Sequence, residues 1–363
     1  SILLPTPTPR PPTPTPTPTP TRTPTSTPTA TPSPTPTSTP TPTPWKPTYS
    51  TLGNKILDWG ITSDAPSSNA VSCNASGSRM IVGLTGHYTN ATAGNSRTNP
   101  FGAVKVYAYI NLAWAQVGQT ILGSQGGSNF GASVSINDAG NRIAIGAPGQ
   151  GSGTGMAYIY DYNGYEWVKS GGFEKAINDT AVLGDSVGFS VSLNRIGNRV
   201  AVGSTGYESL DDLFSPVQNS GVVRTYESNA SGTWSLFGGS IKGGILDIHG
   251  MNRLMPGQKF GFDVSMNDAG DKIAITQVRS NGLGGIGFST GSARAFYLHP
   301  EEVNPGNPSG PKLPPIWKTM GGQIDADEET YDVGIGAKVA LNSAGDKLVV
   351  GVQLVGPDGT NVH

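Results

Sequence analysis

Beyond residue 60 the apolar residues come in short runs punctuated by Asn and Gly, and one phrase recurs five times. It reads Val71-Ser-Cys-Asn74-Ala-Ser-Gly77-Ser-Arg-Met-Ile-Val-Gly83 and returns at 134–146, 191–203, 264–276 and 339–351. In each copy two apolar segments flank a turn built on Asn and Gly. The Asn side chain caps its own backbone and Gly supplies a positive φ, which predicts a β-hairpin. The second segment is a nearly continuous apolar run (Ile143-Ala-Ile145, Val200-Ala-Val202, Ile273-Ala-Ile275). That is the pattern of a strand buried on both faces, with small Ala where layers approach closely.

A third strand follows over 102–107, 155–160, 221–226 and 292–297, each closing on a Tyr. A fourth opens on Trp with Gly four residues later: Trp114/Gly118, Trp167/Gly171, Trp234/Gly238 and Trp317/Gly321. In three copies an Ile stands seven residues after the Trp (Ile121, Ile241, Ile324). The turn glycines lie 63, 57, 73 and 75 residues apart, too far for a solenoid coil and suited to one four-stranded blade with variable loops. The expectation is an all-β chain, a β-propeller of four-stranded blades over 45–363. Five repeat units are visible, the last incomplete because it reaches His363 before a third strand. Trp45, Gly53 and Ile56 read as a stretched fourth strand over 45–58 that would close the last blade. Otherwise a neighbouring subunit or further blades must cover an open edge.

Residues 1–44 are a different material. They hold 17 of the 30 prolines, no glycine, and only Arg10 and Arg22 as charges. Near-strict Pro-Thr alternation removes half the backbone donors and biases every residue to extended conformations, leaving polyproline II as the regular solution. At about 3.1 Å per residue the segment would be a rod of roughly 140 Å with no apolar face to bury. It reads as a spacer or, given its hydroxyls, as an O-glycosylated stalk. The acceptors would be Thr6, Thr8, Thr13, Thr15, Thr17, Thr19, Thr21, Thr23, Thr25, Thr27, Thr29, Thr31, Thr35, Thr37, Thr39, Thr41, Thr43, Ser26, Ser33 and Ser38.

Phe130-Gly131 leading to Gly146-Ala147-Pro148 resembles the FG-GAP repeat of integrin α-chain propellers and of many secreted proteins. Val187-Gly188, Phe260-Gly261 and Ile335-Gly336 are weaker copies. The resemblance covers about residues 60 to 363 and implies a propeller, usually of about seven blades, that works in adhesion or assembly. Such repeats often carry an acidic calcium loop. Here the turns are the short Asn137-Asp-Ala-Gly140 and Asn342-Ser-Ala-Gly345, with too few carboxylates for a six- to eight-oxygen shell, so calcium is not carried over. No cofactor is expected beyond covalent glycans.

Charge and composition narrow the function classes. Net charge is −2 with 13% charged residues, which lacks the basic excess that nucleic acid requires. One cysteine, Cys73, excludes a disulfide framework and a Cys-based zinc site; it occupies the slot of Ile136, Leu193, Met266 and Leu341 and is expected in the core. His87, His249, His299 and His363 lack ligand spacing. Asp211-Asp212 and the cluster Asp325, Asp327, Glu328 and Glu329 fall in loops, where charge is ordinarily solvated. No Ser-His-Asp signature can be assembled. The glycine-rich stretch 281–287 precedes a strand, so it is no phosphate loop. Sequons stand at Asn90, Asn178 and Asn229 in loops and at Asn74 in a hairpin turn. No stretch approaches the ~18 apolar residues of a membrane span. Ile2-Leu3-Leu4 is too short for a signal peptide, so the chain reads as processed or a fragment.

Three function classes remain. The favoured expectation is a non-enzymatic extracellular or cell-surface glycoprotein, a propeller bead on a glycosylated rod. It would self-associate into a homopolymer, or join other extracellular glycoproteins, in a filament, appendage or matrix. The alternatives are a monomeric adhesion or ligand-binding propeller on a tether, and a non-catalytic module of a secreted enzyme.

Overall fold

The computed structural model describes residues 70–87, 100–173, 184–210, 216–243, 245–246, 252–253, 257–278, 291–300, 312–325 and 333–354. By contacts the chain divides into Ser1–Ser50 and Thr51–His363, and all described residues belong to the second unit. The Pro-Thr tract and the strand expected at 45–58 lie outside the described residues.

The expected hairpins, and the blades built on them, are present. Blade 1 is β1 (Val71–Cys73), β2 (Arg79–Leu84), β3 (Ala103–Ile110) and β4 (Ala113–Gln116), with β5 (Ile121–Leu122) also pairing β3. Blade 2 is β6 (Ser133–Ile136), β7 (Arg142–Ala147), β8 (Met156–Tyr162) and β9 (Trp167–Phe173), with one helical turn, α1 (Gln150–Gly153), between β7 and β8. Blade 3 starts with β10 (Val187–Leu193) and β11 (Arg199–Ser204), then inserts a ribbon of β12 (Ser209–Leu210) and β13 (Pro216–Val217). It ends with β14 (Val222–Ser228) and β15 (Trp234–Lys242). A second ribbon, β16 (Ile245–Leu246) with β17 (Asn252–Arg253), leads to blade 4: β18 (Val264–Met266), β19 (Lys272–Gln277), β20 (Ser292–His299) and β21 (Ile316–Asp325). Blade 5 is described as β22 (Val333–Leu341) and β23 (Leu348–Leu354). Every pairing within a blade is antiparallel.

The first strands of blades 2 to 5 each pack against the blade before, and residues in or just ahead of the first strands of all five blades line one shared cavity. That is a propeller-like arrangement around an axis. The hydrophobic core accordingly lies between sheets. One cluster joins Ile81, Val104 and Val106 of blade 1 to Val134, Ile143 and Ile145 of blade 2, and equivalent clusters join blades 2 to 3 and 3 to 4. Ile143, Ala144 and Ile145 are each 0% exposed, as a strand covered on both faces requires. Each such Ile contributes about 1.5–3 kcal/mol by leaving water.

The glycine of the second strand has a specific reason to be glycine. A Cβ on Gly146 would lie 1.9 Å from the carbonyl oxygen of Gly188, the glycine of the next blade's Val-Gly dipeptide. Gly83 meets Gly131 and Gly203 meets Gly261 in the same way. The two glycine signatures of the repeat are thus two sides of one blade-to-blade joint, where backbones touch without side chains between them.

Two features depart from expectation. The fourth strand of blade 1 breaks after Gln116 and resumes as β5, whereas β15 and β21 run on through the equivalent glycines. Cys73, expected in the core, is exposed. Its counterparts Ile136, Leu193 and Met266 are each 7% exposed because a preceding blade covers them; among the described residues no sheet precedes β1.

Candidate functional site

The polar residues of the phrase converge at the hairpin turns, where they join one blade to the next. Asn137 Oδ1 accepts from the backbone N–H groups of Asn141 and Arg142 at 3.0 and 2.9 Å, and its Nδ2 donates to Asn141 Oδ1 at 2.9 Å. Asn267 and Asn342 repeat that triad of bonds. The turn glycine in each copy has positive φ, from 65° to 78°. The basic residue five positions after the Asn then reaches forward. Arg79 Nη1 donates to Gly140 O (2.7 Å), Arg142 Nη1 to Gly197 O (3.1 Å), Arg199 Nη1 to Gly270 O (3.2 Å) and Lys272 Nζ to Ala344 O (2.8 Å). Backbone bonds run alongside: Asp138 N–H to Arg195 O, Arg195 N–H to Asp268 O, and Asp268 N–H to Ser343 O. Arg142 also forks onto Asp161, which raises its already high pKa.

At the outer rim the Trp and Gly of the fourth strands prove to be partners across blades. Trp167 packs on Gly118 and donates Nε1–H to Val117 O at 3.0 Å; Trp234 packs on Gly171 and Trp317 on Gly238. A Cβ at Gly238 would lie 2.5 Å from Trp317 Nε1, so this contact also demands glycine.

A cavity of about 830 Å³ lies at the axis. Phe189 and Phe262 form an apolar wall with ring centroids 5.0 Å apart, and Ala132, Pro148, Ser133 and Ser190 line it with Asp263 and Lys338. Ser133 and Ser190 donate across the joint to Gly188 O (2.9 Å) and Gly261 O (2.7 Å). At the same repeat position Asp263 instead accepts from Lys338 Nζ (3.1 Å) and the Val339 N–H (2.8 Å). Burial pushes the Asp263 carboxyl above the ordinary aspartate range, and Lys338 with these hydrogen bonds pulls the other way without prevailing. The cavity could hold a small ligand with an apolar body and a polar end. Sequence reading missed this pair. Its signal was the residue before each phrase's Val, which changes from Ser133 and Ser190 to Asp263 and Lys338 in consecutive units.

The sequon residues separate sharply. Asn229 is exposed at the tip of the β14–β15 hairpin, and its Oδ1 accepts from Ser231 Oγ (2.7 Å) and from the N–H groups of Ser231 and Thr233, which points Nδ2 away from these bonds. Asn74 is 7% exposed, and its Nδ2 donates to Ser76, Ser78 and Asp138. A glycan on Asn74 would have to displace those bonds. Asn90, Asn178 and every Thr and Ser of the Pro-Thr tract lie outside the described residues, as do His249, His363, Asp211, Asp212, Asp327, Glu328 and Glu329. Among the described residues no three His, Cys, Asp or Glu side chains come together as a metal site would need. No described helix is long and apolar enough to cross a membrane.

No family model matches the chain, and no curated protein sequence matches it. Among solved structures, Kuenenia stuttgartiensis hydrazine synthase is similar over 83% of this chain and 78% of its own, at 12% identity and TM-score 0.35. The periplasmic gluconolactonase PpgL of Pseudomonas aeruginosa is similar over 81% of this chain and 70% of its own, at 12% identity and TM-score 0.44. These likenesses concern the fold alone. They do correct one expectation: a non-enzyme was read from the sequence, yet a gluconolactonase has a similar propeller-like fold, so the architecture does not exclude catalysis. At that identity it assigns no activity to this chain.

Proposed function

We propose that this chain is an FG-GAP-type extracellular structural glycoprotein, a propeller bead carried on an O-glycosylated Pro-Thr rod and assembled with copies of itself into a filament, appendage or matrix. The observation that carries the reading is how the repeat spends its polar residues. The Asn, the Arg or Lys, the Ser and the Trp of successive phrases bond one blade to the next, which builds a stiff bead. A rod with a hydroxyl at almost every second residue precedes it in the chain. Asn229, exposed with its Nδ2 directed outward, adds an N-glycan site on the rim. The test is mass analysis of the secreted protein before and after sugar removal, with electron microscopy of native material. Added hexose or pentose on the tract and regularly spaced beads support the proposal. An unmodified tract together with isolated beads defeats it.

The axial cavity favours a second reading, a ligand-binding propeller on a tether. Its apolar wall and charged pair suit a small ligand better than a purely mechanical bead requires. Soaking the protein in a fragment library and solving the structure tests it; an empty axis throughout counts against it.

A further inference from the structure

The turns repeat closely from blade to blade, whereas the residues lining the axial cavity do not. After the glycine of the Phe-Gly-type dipeptide stand Ala132, Phe189 and Phe262 in turn, and one place later Ser133, Ser190, Asp263 and Lys338. Ala132 shows that a methyl group suffices at the first position. Phe189 and Phe262 instead set two half-buried rings against each other at the cavity wall, tilted by 44°. Rings left partly in water gain only part of the burial energy of a core ring, so the fold alone does not call for them.

The second position changes in kind. An ammonium carries three donors and a carboxylate about four acceptor sites. Among the described residues Lys338 Nζ spends one donor on Asp263 Oδ1, and the carboxylate takes that bond and those of the Val339 and Val264 N–H groups. Unspent donors and acceptor therefore remain side by side, and Lys338 is 82% exposed, so a ligand can reach them.

That set is selective. An anion drawn by Lys338 meets the Asp263 carboxylate, and a cation drawn by Asp263 meets the Lys338 ammonium. A lipid tail leaves the polar groups unserved. A trans peptide unit points its N–H and C=O in opposite directions and cannot bridge an adjacent donor and acceptor. Two neighbouring hydroxyls can, one donating to the carboxylate while the other accepts from the ammonium. Their oxygens lie about as far apart as Nζ and Oδ1, which are 3.1 Å apart. A sugar ring carries such a pair on its edge and a face of C–H bonds that packs on an aromatic ring. The cavity volume falls within the range of small-molecule sites.

We infer that the axial cavity binds a neutral sugar residue. Asp263 and Lys338 hold two of its neighbouring hydroxyls, and its C–H face lies against the Phe189–Phe262 wall. This rests on the ligand-binding reading above and names the class of ligand. The same contacts serve a free sugar and the terminal residue of a glycan.

Saturation-transfer NMR on the full chain tests it, with the methyl pyranosides of glucose, galactose, mannose, arabinose and xylose, and with arabinogalactan and mannan. Cyclohexanol, choline and benzoate are the comparison ligands. Transfer to at least one glycoside or polymer is the expected result. Glycosides alone mark a free sugar; a polymer, with or without them, marks a glycan end. Lys338→Met and Phe262→Ala, each shown to fold by its melting curve, should weaken binding roughly tenfold. Sugars that bind both variants as tightly as wild type sit elsewhere and overturn the inference. So does cyclohexanol bound as tightly as any sugar, or choline or benzoate bound in a sugar's place. If no sugar binds while a fragment occupies the axis, this inference falls and the ligand-binding reading stands. An axis that stays empty to both removes both.

Discussion

The joint between blades 2 and 3 and the joint between blades 4 and 5 hold the same geometry with different chemistry. In the first, Gly146 lies against Gly188 and the Ser133 hydroxyl bonds the Gly188 carbonyl, so the groups that meet beside the cavity are neutral and most are backbone, the charges of Arg142, Arg195 and Asp138 being kept to the turns. In the second, Thr276 replaces the strand glycine and bonds the Asp263 N–H within its own blade, while Asp263 spans the joint to Lys338 and Val339. A contact of neutral backbones, with no Cβ between Gly146 and Gly188, is tight and tolerates nothing inserted. A charged joint leaves room for side chains but answers to pH and salt. One repeat can therefore be rigid at one place and adjustable at another.

The comparison breaks most visibly at the neutral joint. Gly146→Val places a side chain 1.9 Å from the Gly188 carbonyl oxygen, and the backbones must separate. The expected cost is about 3 kcal/mol or more, read as a fall of ~5–10 °C in melting temperature. Thr276→Gly at the charged joint should cost about 1 kcal/mol, the worth of one hydrogen bond. Equal losses at the two sites would mean the joints are not distinct.

Interior and terminal turns should separate next. Asn194→Ala removes the acceptor of the Arg199 N–H inside the stack, where Asn194 is 2% exposed, and should cost roughly 1–3 kcal/mol by leaving a shielded donor unpaired. Asn342→Ala makes the same change in exposed blade 5, where water replaces the lost bonds, and should cost less than about 1 kcal/mol. Chemical denaturation of the two variants side by side checks the ratio. The forward clamps come third. Arg142→Met loses a carbonyl bond, a forked ion pair and a ring contact with Trp234, and should cost about 1 kcal/mol after discounting for the part-exposed Arg142 and Asp161 side chains. Lys272→Met should lie near zero.

The fold was legible because its signals are local. Each hairpin carries its own Asn, its own positive-φ glycine and its own alternating strand, so one phrase predicts one hairpin and its repetition predicts the blades. What connects blades was not legible, although the residues were in view. Trp167 and Gly171 were read as one strand's pattern. Their partners are Gly118 and Trp234, on the blades before and after. Cys73 was misplaced for the same reason: its apolar slot is filled by the preceding blade, and identity at one position says nothing about the neighbour that covers it. Asn74 shows the converse, since the triplet that marks a sequon is also the turn that buries its amide. Asp263 and Lys338 lie 75 residues apart, and only the repeat register brings them opposite each other.

The charged joint makes the smallest and most specific prediction, a dependence on pH. Below the ordinary aspartate range Asp263 is neutral in both the folded and the unfolded chain and carries no penalty. As pH rises, the unfolded chain ionises first while burial keeps the folded carboxyl protonated, so the folded state binds more protons and stability falls until the raised pKa is passed. Asp263→Asn removes this titration. The melting temperature of wild type minus that of Asp263→Asn should therefore be greatest near pH 3 and decline towards pH 7. Added salt should deepen the decline, because Lys338 is 82% exposed and its attraction, which opposes the effect of burial, is screened. Ser133→Ala, at the neutral joint, should give a difference that is flat across the same range. If wild type instead gained on Asp263→Asn as pH rose, the ion pair would outweigh burial, and the second joint would be held by charge as firmly as the first is held by close-packed backbone.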